Sequence, residues 1–226
     1  MSKILNMKKQ VKIYFILTML AVLFSGCSNE SVNGKGAVIE EERSVGDFNS
    51  VSLQIPAKLY VYTGAESSVI IKTNENVQHV IETTVINGKL IIETSPNVSI
   101  RNTDILNVYI TSDMITDFSI NGSGRISIED CIEASSMSFE VNGSGDIIAC
   151  GVTEVLNVVV NGSGQFKGFG LQAETAELNI RGSGDIETTV SEVLEADISG
   201  SGKIEYYGSP EVHTQISGSG TIKRKN

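Results

Sequence analysis

The chain has no tryptophan, and its 226 residues include only two histidines, three cysteines and three prolines. Each shortage removes a class of explanation. Glycan-cleaving enzymes commonly offer Trp platforms, and this chain has none. His79 and His213 lie far apart and neither has a partner at a metal-ligand spacing, so both read as surface residues, and neither metal nor cofactor is expected. Pro56, Pro96 and Pro210 are scattered, and no charged or low-complexity linker follows Gly36. A single continuous domain is therefore the simplest organisation, with a separate small sandwich before residue 114 as the alternative. Basic residues are outnumbered, 17 Lys and Arg against 27 Asp and Glu. A phosphate-backbone partner needs clustered Lys and Arg, so nucleic acid is excluded and anionic glycans would be repelled.

Long apolar runs are also scarce, and the one that stands out is at the beginning. Residues 1–26 carry Lys3, Lys8, Lys9 and Lys12 with no acidic residue, then the run Ile13 to Phe24, then Ser25-Gly26-Cys27. The run is too short for a comfortable membrane span and has the layout of an export signal. The ending Leu23-Phe24-Ser25-Gly26-Cys27 resembles the lipobox of bacterial lipoproteins, in which the cysteine is acylated, for example with palmitate, and becomes the new N-terminus. Phe24 departs from the usual Leu, and a plain secretory signal with an incidental cysteine is the alternative. The expected organisation is a signal peptide over 1–26, lipidated Cys27 with a flexible tether over 27–37, and one domain over 38–226. That implies membrane attachment through a lipid anchor, as an outer-membrane lipoprotein of a Gram-negative envelope. Removing the leader leaves 13 Lys and Arg against 27 acidic residues, a net charge of about −14.

What is abundant is glycine, and it is periodic. Gly122-Ser123-Gly124, Gly143-Ser144-Gly145, Gly162-Ser163-Gly164, Gly182-Ser183-Gly184, Gly200-Ser201-Gly202 and Gly218-Ser219-Gly220 follow one another at intervals of 21, 19, 20, 18 and 18 residues. Such a period marks a small unit that becomes stable only when its neighbours stack on it. Two residues before each first Gly stand Ile120, Val141, Val160, Ile180, Ile198 and Ile216. Two residues after each last Gly stand Ile126, Ile147, Phe166, Ile186, Ile204 and Ile222. The positions between are mostly polar, so the period is two and each unit reads strand, tight turn, strand. A turn stacked on its own copy about 4.8 Å away leaves little room for a Cβ, which is the reason for glycine. Asn121, Asn142 and Asn161 precede the first three turns and could form a ladder of amides, which Arg181 then interrupts.

One turn per unit favours a coiled solenoid with parallel pairing over an antiparallel meander, and parallel crossovers are right-handed. The expected fold is therefore all-β, a right-handed parallel β-helix-like solenoid of stacked coils, regular from about residue 114. Earlier in the chain, Phe48 to Ile55, Leu59 to Tyr62, Ser68 to Lys72, Val80 to Ile86 and Lys89 to Glu93 read as strands, with Asn87-Gly88 a hairpin turn between the last two. The lipobox, the run Val85-Ile86-Asn87-Gly88-Lys89-Leu90-Ile91-Ile92, the run Leu106-Asn107-Val108-Tyr109-Ile110-Thr111 and the serial Gly-Ser-Gly turns together resemble the autotransporter adhesin head family, also called the GIN head domain. The resemblance implies a right-handed β-helix similar in shape to pectin lyases, Gly-Ser-Gly at the turn between two sheets, no conserved catalytic residues, and a role in cell adhesion.

The residues offer no catalytic constellation of their own. Asp146 and Asp185 follow Gly-Ser-Gly in only two of six copies, whereas calcium ladders repeat in every turn. The turn serines lack the surroundings of a nucleophile elbow, and Gly200-Ser201-Gly202-Lys203 lacks the first Gly and the hydroxyl residue of a phosphate loop. Cys131 and Cys150 are about one repeat apart, but their offsets from the turn differ by two, which favours separate buried thiols over a bridge. Lys223, Arg224 and Lys225 would guard an open sheet edge. Three functions compete: a non-enzymatic binding or adhesive head for a glycan or protein ligand, self-associating or not; a structural or stress-related envelope component; and a carbohydrate-active enzyme. A binding head should show a contiguous exposed aromatic stripe. Tyr60, Tyr62, Tyr109 and Val159 are its candidate members, with core or edge packing the expectation for each.

Overall fold

The computed structural model describes residues 30–226; the leader, Cys27 and the first residues of the tether lie outside the described residues. Residues Ser31–Asn226 form one compact unit. In chain order the described elements are β1 (Glu30–Asn33), β2 (Val38–Arg43), β3 (Ser50–Leu53), β4 (Lys58–Tyr62), β5 (Ser68–Asn74), α1 (Glu75–Gln78), β6 (Ile81–Ile86), β7 (Lys89–Thr94), β8 (Val98–Arg101) and β9 (Leu106–Thr111). The repeat region then contributes β10 (Asp117–Gly122), β11 (Arg125–Ile128), β12 (Ile132–Gly143), β13 (Asp146–Gly162), β14 (Gln165–Gly182), β15 (Asp185–Gly200), β16 (Lys203–Tyr207), β17 (Glu211–Gly218) and β18 (Thr221–Arg224).

From residue 117 every coil lies parallel to the one before and in register with it. Ile120, Val141, Val160, Ile180, Ile198 and Ile216 form one column, and Ile126, Ile147, Phe166, Ile186, Ile204 and Ile222 form the other. This is the stacked solenoid that the repeat predicts. Both columns are buried until the last coil, where no further described coil covers Ile216 and it is 44% exposed. Phe118 stacks on Phe139 at 5.2 Å between ring centroids, and Phe139 meets Phe166 at 4.8 Å. Each large side chain so buried stabilises the fold by about 1.5–3 kcal/mol before conformational entropy is set against it.

The turns carry the ladder around the corner. Ser163 N–H donates to Gly143 O at 2.9 Å and Gln165 N–H to Gly145 O at 3.0 Å, a pattern kept from Ser144 to Thr221. The serine hydroxyls themselves stand exposed. The first glycine of each turn has φ near +130°, and from Gly143 onward a Cβ there would fall on the carbonyl of the glycine one coil earlier. The asparagine ladder is present as well: Asn142 Nδ2 donates to Asn121 Oδ1 at 3.1 Å and Asn161 Nδ2 to Asn142 Oδ1 at 2.9 Å.

The first half of the chain joins the same stack in an exchanged order. β3 and β4 lie beneath β10 and β11, with Leu53 against Ile120 and Leu59 against Ile126. Their other neighbours are β7 and β9, which come later in sequence: Leu53 pairs with Ile92 and Leu59 with Val108. The coil 50–62 is thus held between the coil 89–111 and the coil that begins at 117. Its turn is Ile55-Pro56-Ala57 where later coils have Gly-Ser-Gly. The β6–β7 hairpin turns at Asn87 and Gly88, φ 51° and 77°, as the sequence predicts. Antiparallel β6, β5 and β2 close this end, and Gln78 of α1 donates from Nε2 to Ile71 O at 2.7 Å and Ile39 O at 3.2 Å.

Two expectations need correction. The tether is not free over its described length: β1 pairs with β8, and Asn76 Nδ2 donates to Asn33 O at 2.8 Å. Cys131 and Cys150 are not separate thiols but a disulfide, with Cα atoms 4.8 Å apart. The pairing of β11 with β13 is offset by 21 residues at Arg125–Asp146, and that of β12 with β13 by 19 at Ile132–Gly151. Two extra residues between Ile128 and Ile132 absorb the difference, and they bring the cysteines level on adjacent coils.

Candidate functional site: an outward tyrosine face

On the sheet that follows the turns, alternate residues leave the core and form rows along the stack. One row runs Glu42, Ile70, Tyr109, Tyr60, Ser127, Ile148, Lys167, Glu187, Glu205 and Lys223. Tyr60 and Tyr109 stack face to face, centroids 5.2 Å apart and planes 14° from parallel. Such a pair adds about 0.5–1.5 kcal/mol beyond area burial and holds both rings rigid. Asn107 Nδ2 donates to the Tyr109 hydroxyl at 3.1 Å. Ile70 flanks the pair on one side. On the other, small Ser127 separates Tyr60 from Ile148, which is 37% exposed. Tyr62 stands two residues beyond Tyr60 on the same side of β4, 36% exposed. Its phenol titrates above the ordinary value, first through desolvation and next through the negative charge of Glu129.

The neighbouring row is polar: Glu40, Lys72, Asn107, Lys58, Arg125, Asp146, Gln165, Asp185, Lys203 and Thr221. Asp146 accepts from Arg125 Nη2 at 2.6 Å and Nε at 3.2 Å. Asp185 lies two coils away, so the two post-turn aspartates do not meet.

Three of the four stripe candidates therefore share one face. They point outward, whereas core or edge packing is what the sequence predicts for each. Val159 does not join them; it lies between Glu140 and Asn179 on the other sheet. Ile70 and Ile148 were missed. The signal that pairs the tyrosines was present in the likeness of Lys58-Leu59-Tyr60-Val61-Tyr62 to Asn107-Val108-Tyr109-Ile110-Thr111, which lie side by side in register.

Two further depressions lie elsewhere on the described surface. A depression of about 400 Å³, lined in part by Val152, Gln172, Glu174 and Ser191, holds a single carboxylate. Another of about 310 Å³ holds two, Asp47 and Asp113, with Phe48, Asn49 and Met114. His79 and His213 are both exposed, and His213 pairs with Glu211 at 3.3 Å. Among the described residues no three His, Cys, Asp or Glu side chains converge on a common point.

Residues 47–210 match the family model described as "Putative auto-transporter adhesin, head GIN domain". The chain belongs to that family. Among solved structures, "a putative adhesin" from Bacteroides fragilis superposes with a TM-score of 0.73 at 22% identity, covering 86% of this chain and 100% of that one. A "putative lipid binding protein" from Parabacteroides distasonis superposes with a TM-score of 0.59 at 23% identity, covering 87% and 100%. A "putative adhesin" from the same organism gives 0.57 at 17% identity, with the same coverage. At these identities the likeness is one of fold. A search of curated proteins returned no match. No helix among the described residues is long and apolar enough to cross a membrane.

Proposed function

We propose that this protein is a non-enzymatic, lipid-anchored envelope protein whose coil stack is a binding head, with the Tyr60–Tyr109 face directed at a glycan or protein ligand. The observation that carries this reading is the stacked, outward tyrosine pair on rigid strands, continued by Ile70 and Ile148 and bordered by Asn107, Lys58 and Arg125. Apolar rings beside hydrogen-bonding side chains are what a flat recognition surface requires. Membership of an adhesin head family supports the class of function, and the lipobox ending at Cys27 supports the anchor. Two or more acyl chains suffice for stable attachment.

The test is a glycan and matrix-protein binding screen with the purified chain, followed by Tyr60→Ala with Tyr109→Ala. The double variant is expected to weaken the identified interaction at least about tenfold while remaining folded; undiminished binding would move the site elsewhere. Cys27→Ser is expected to move the protein out of the detergent phase, and unchanged partitioning would remove the anchor. The carbohydrate-enzyme reading rests on Asp47 and Asp113, because paired carboxylates are the usual glycosidase apparatus. Cleavage of a sugar polymer that is lost in Asp47→Asn or Asp113→Asn but kept in the tyrosine variant would replace the binding head with an enzyme.

A further inference from the structure

The two ends of the coil stack are edges of the same sheets, and on the sheet that follows the turns the edge strands carry opposite charge. Among the described residues, β17 pairs only with β15 and β18 only with β16 at the C-terminal end, and the outermost strands at the other end are β2 and β6. β18 reads Thr221-Ile222-Lys223-Arg224 and is followed by Lys225. β2 reads Val38-Ile39-Glu40-Glu41-Glu42-Arg43.

β2 and β18 run in the same direction. β2 is antiparallel to β5 and β5 to β9, and every step from β9 to β18 is parallel. A second molecule translated along the stack would therefore offer its β2 to β18 as one more parallel strand. With Thr221 opposite Val38, Ile222 faces Ile39, and Lys223, Arg224 and Lys225 face Glu40, Glu41 and Glu42. The pleat agrees. Ile39 and Glu41 share a face with Thr73 and Ile71, which point into the core, as Ile222 and Arg224 share a face with Ile204 and Tyr206. Glu40 and Glu42 point outward, as Lys223 does. The carboxylates remain accessible, since Glu40 and Glu41 hold their own partners Lys72 and Arg43 yet are 58% and 43% exposed.

We propose that copies of this chain associate head to tail, β18 of one against β2 of the next, so that the solenoid continues from molecule to molecule. On the other sheet β17 and β6 supply a second pair of open edges, antiparallel in sense, and Val212 and Ile216 of β17, 37% and 44% exposed, extend core columns that no other described residue covers. The basic edge repels its own kind and accepts the acidic one, so the contact is heterologous and yields an open rod, not a closed dimer. An anchor on every copy is compatible with a rod lying along a membrane, and the association does not depend on the tyrosine face.

The experiment is sedimentation and negative-stain microscopy of the purified chain at low salt, with two charge-reversal variants, K223E/K225E and E40K/E42K; Arg224 and Glu41 stay unchanged in both. The wild-type chain is expected to form rods that lengthen with concentration and shorten in high salt. Each variant alone, with its melting temperature checked against wild type, is expected to associate about tenfold or more weakly. An equimolar mixture restores the rods, because both kinds of junction in the mixture are again oppositely charged. A wild-type chain that stays monomeric over the whole concentration range, assembly that stops at two copies, variants that associate like wild type, or folded variants whose mixture does not assemble would each overturn the proposal.

Discussion

The turn glycines separate two effects that usually come together, a backbone conformation reserved for glycine and a steric limit set by the neighbouring coil. Gly122 and Gly162 hold equivalent positions and nearly the same conformation, φ 131° and 125°. A Cβ on Gly122 meets nothing within 4 Å, because the coil beneath turns through Ile55-Pro56-Ala57. A Cβ on Gly162 lands on Gly143 O, with Gly143 C only 3.1 Å away. Gly122→Ala should therefore cost only the conformational penalty, about 1–2 kcal/mol. Gly162→Ala pays the same penalty and must also push one coil off the next. That weakens the Ser163 N–H bond to Gly143 O, worth about 1 kcal/mol, and adds the strain of overpacking, about 1–3 kcal/mol. The expected losses are about 1–2 kcal/mol for the first substitution and about 3–6 kcal/mol for the second. Urea titrations followed by far-ultraviolet circular dichroism and by tyrosine fluorescence would measure both, two probes being needed because stacked arrays can depart from two-state unfolding. Equal losses would refute the view that the coil beneath, rather than φ alone, fixes glycine at this corner.

Three further outcomes follow from the stack. Val160→Asp would bury an unpaired carboxylate between Val141 and Ile180 and should cost several kcal/mol, whereas Asn179→Ser, facing outward and losing one bond to Glu177, should cost no more than about 1 kcal/mol in the same titration. Deletion of residues 143–161, made together with Cys131→Ser so that no lone thiol remains, joins Asn142 to Gly162 and keeps every column aligned; the product should be a folded stack one coil shorter, with unchanged circular dichroism per residue. Cys131→Ser with Cys150→Ser should lower stability by about 2–3 kcal/mol, since the bridge closes a short loop, and intact mass with and without reductant should reveal the bridge in the wild-type chain.

Legibility in the sequence followed the range of the contacts. Wherever a residue's partner lies one repeat away, spacing alone revealed it: the two apolar columns, the amide ladder from Asn121 to Asn161, and the corner glycines. The disulfide escaped because offsets counted from the turn assume coils of equal length, and the two extra residues after Ile128 break that assumption. The tyrosine face escaped for a different reason. Alternation shows that Tyr60 and Tyr109 occupy similar places in similar strands, but not that those strands touch, since nothing local in β4 or β9 records that a later segment folds back to lie outside an earlier one. Val159 shows the converse, an apolar residue in an outward position whose neighbours on the stack, Glu140 and Asn179, are polar.

The exchanged order of the first coils also constrains how the chain can acquire its structure. Leu53 waits for Ile92 on one side and Ile120 on the other, and Leu59 for Val108 and Ile126. Downstream, each strand needs only its predecessor. Closing long loops comes at an entropic disadvantage before any contact rewards it, so the segment up to about residue 128 should be the slow, all-or-none step. Once it has formed it is a seed on which later turns add in sequence, each inexpensive, in the direction of synthesis. Lengthening this protein by duplicating late repeats would then leave the rate-limiting event untouched, while a change of a few residues between Tyr62 and Leu106 could stop it from starting.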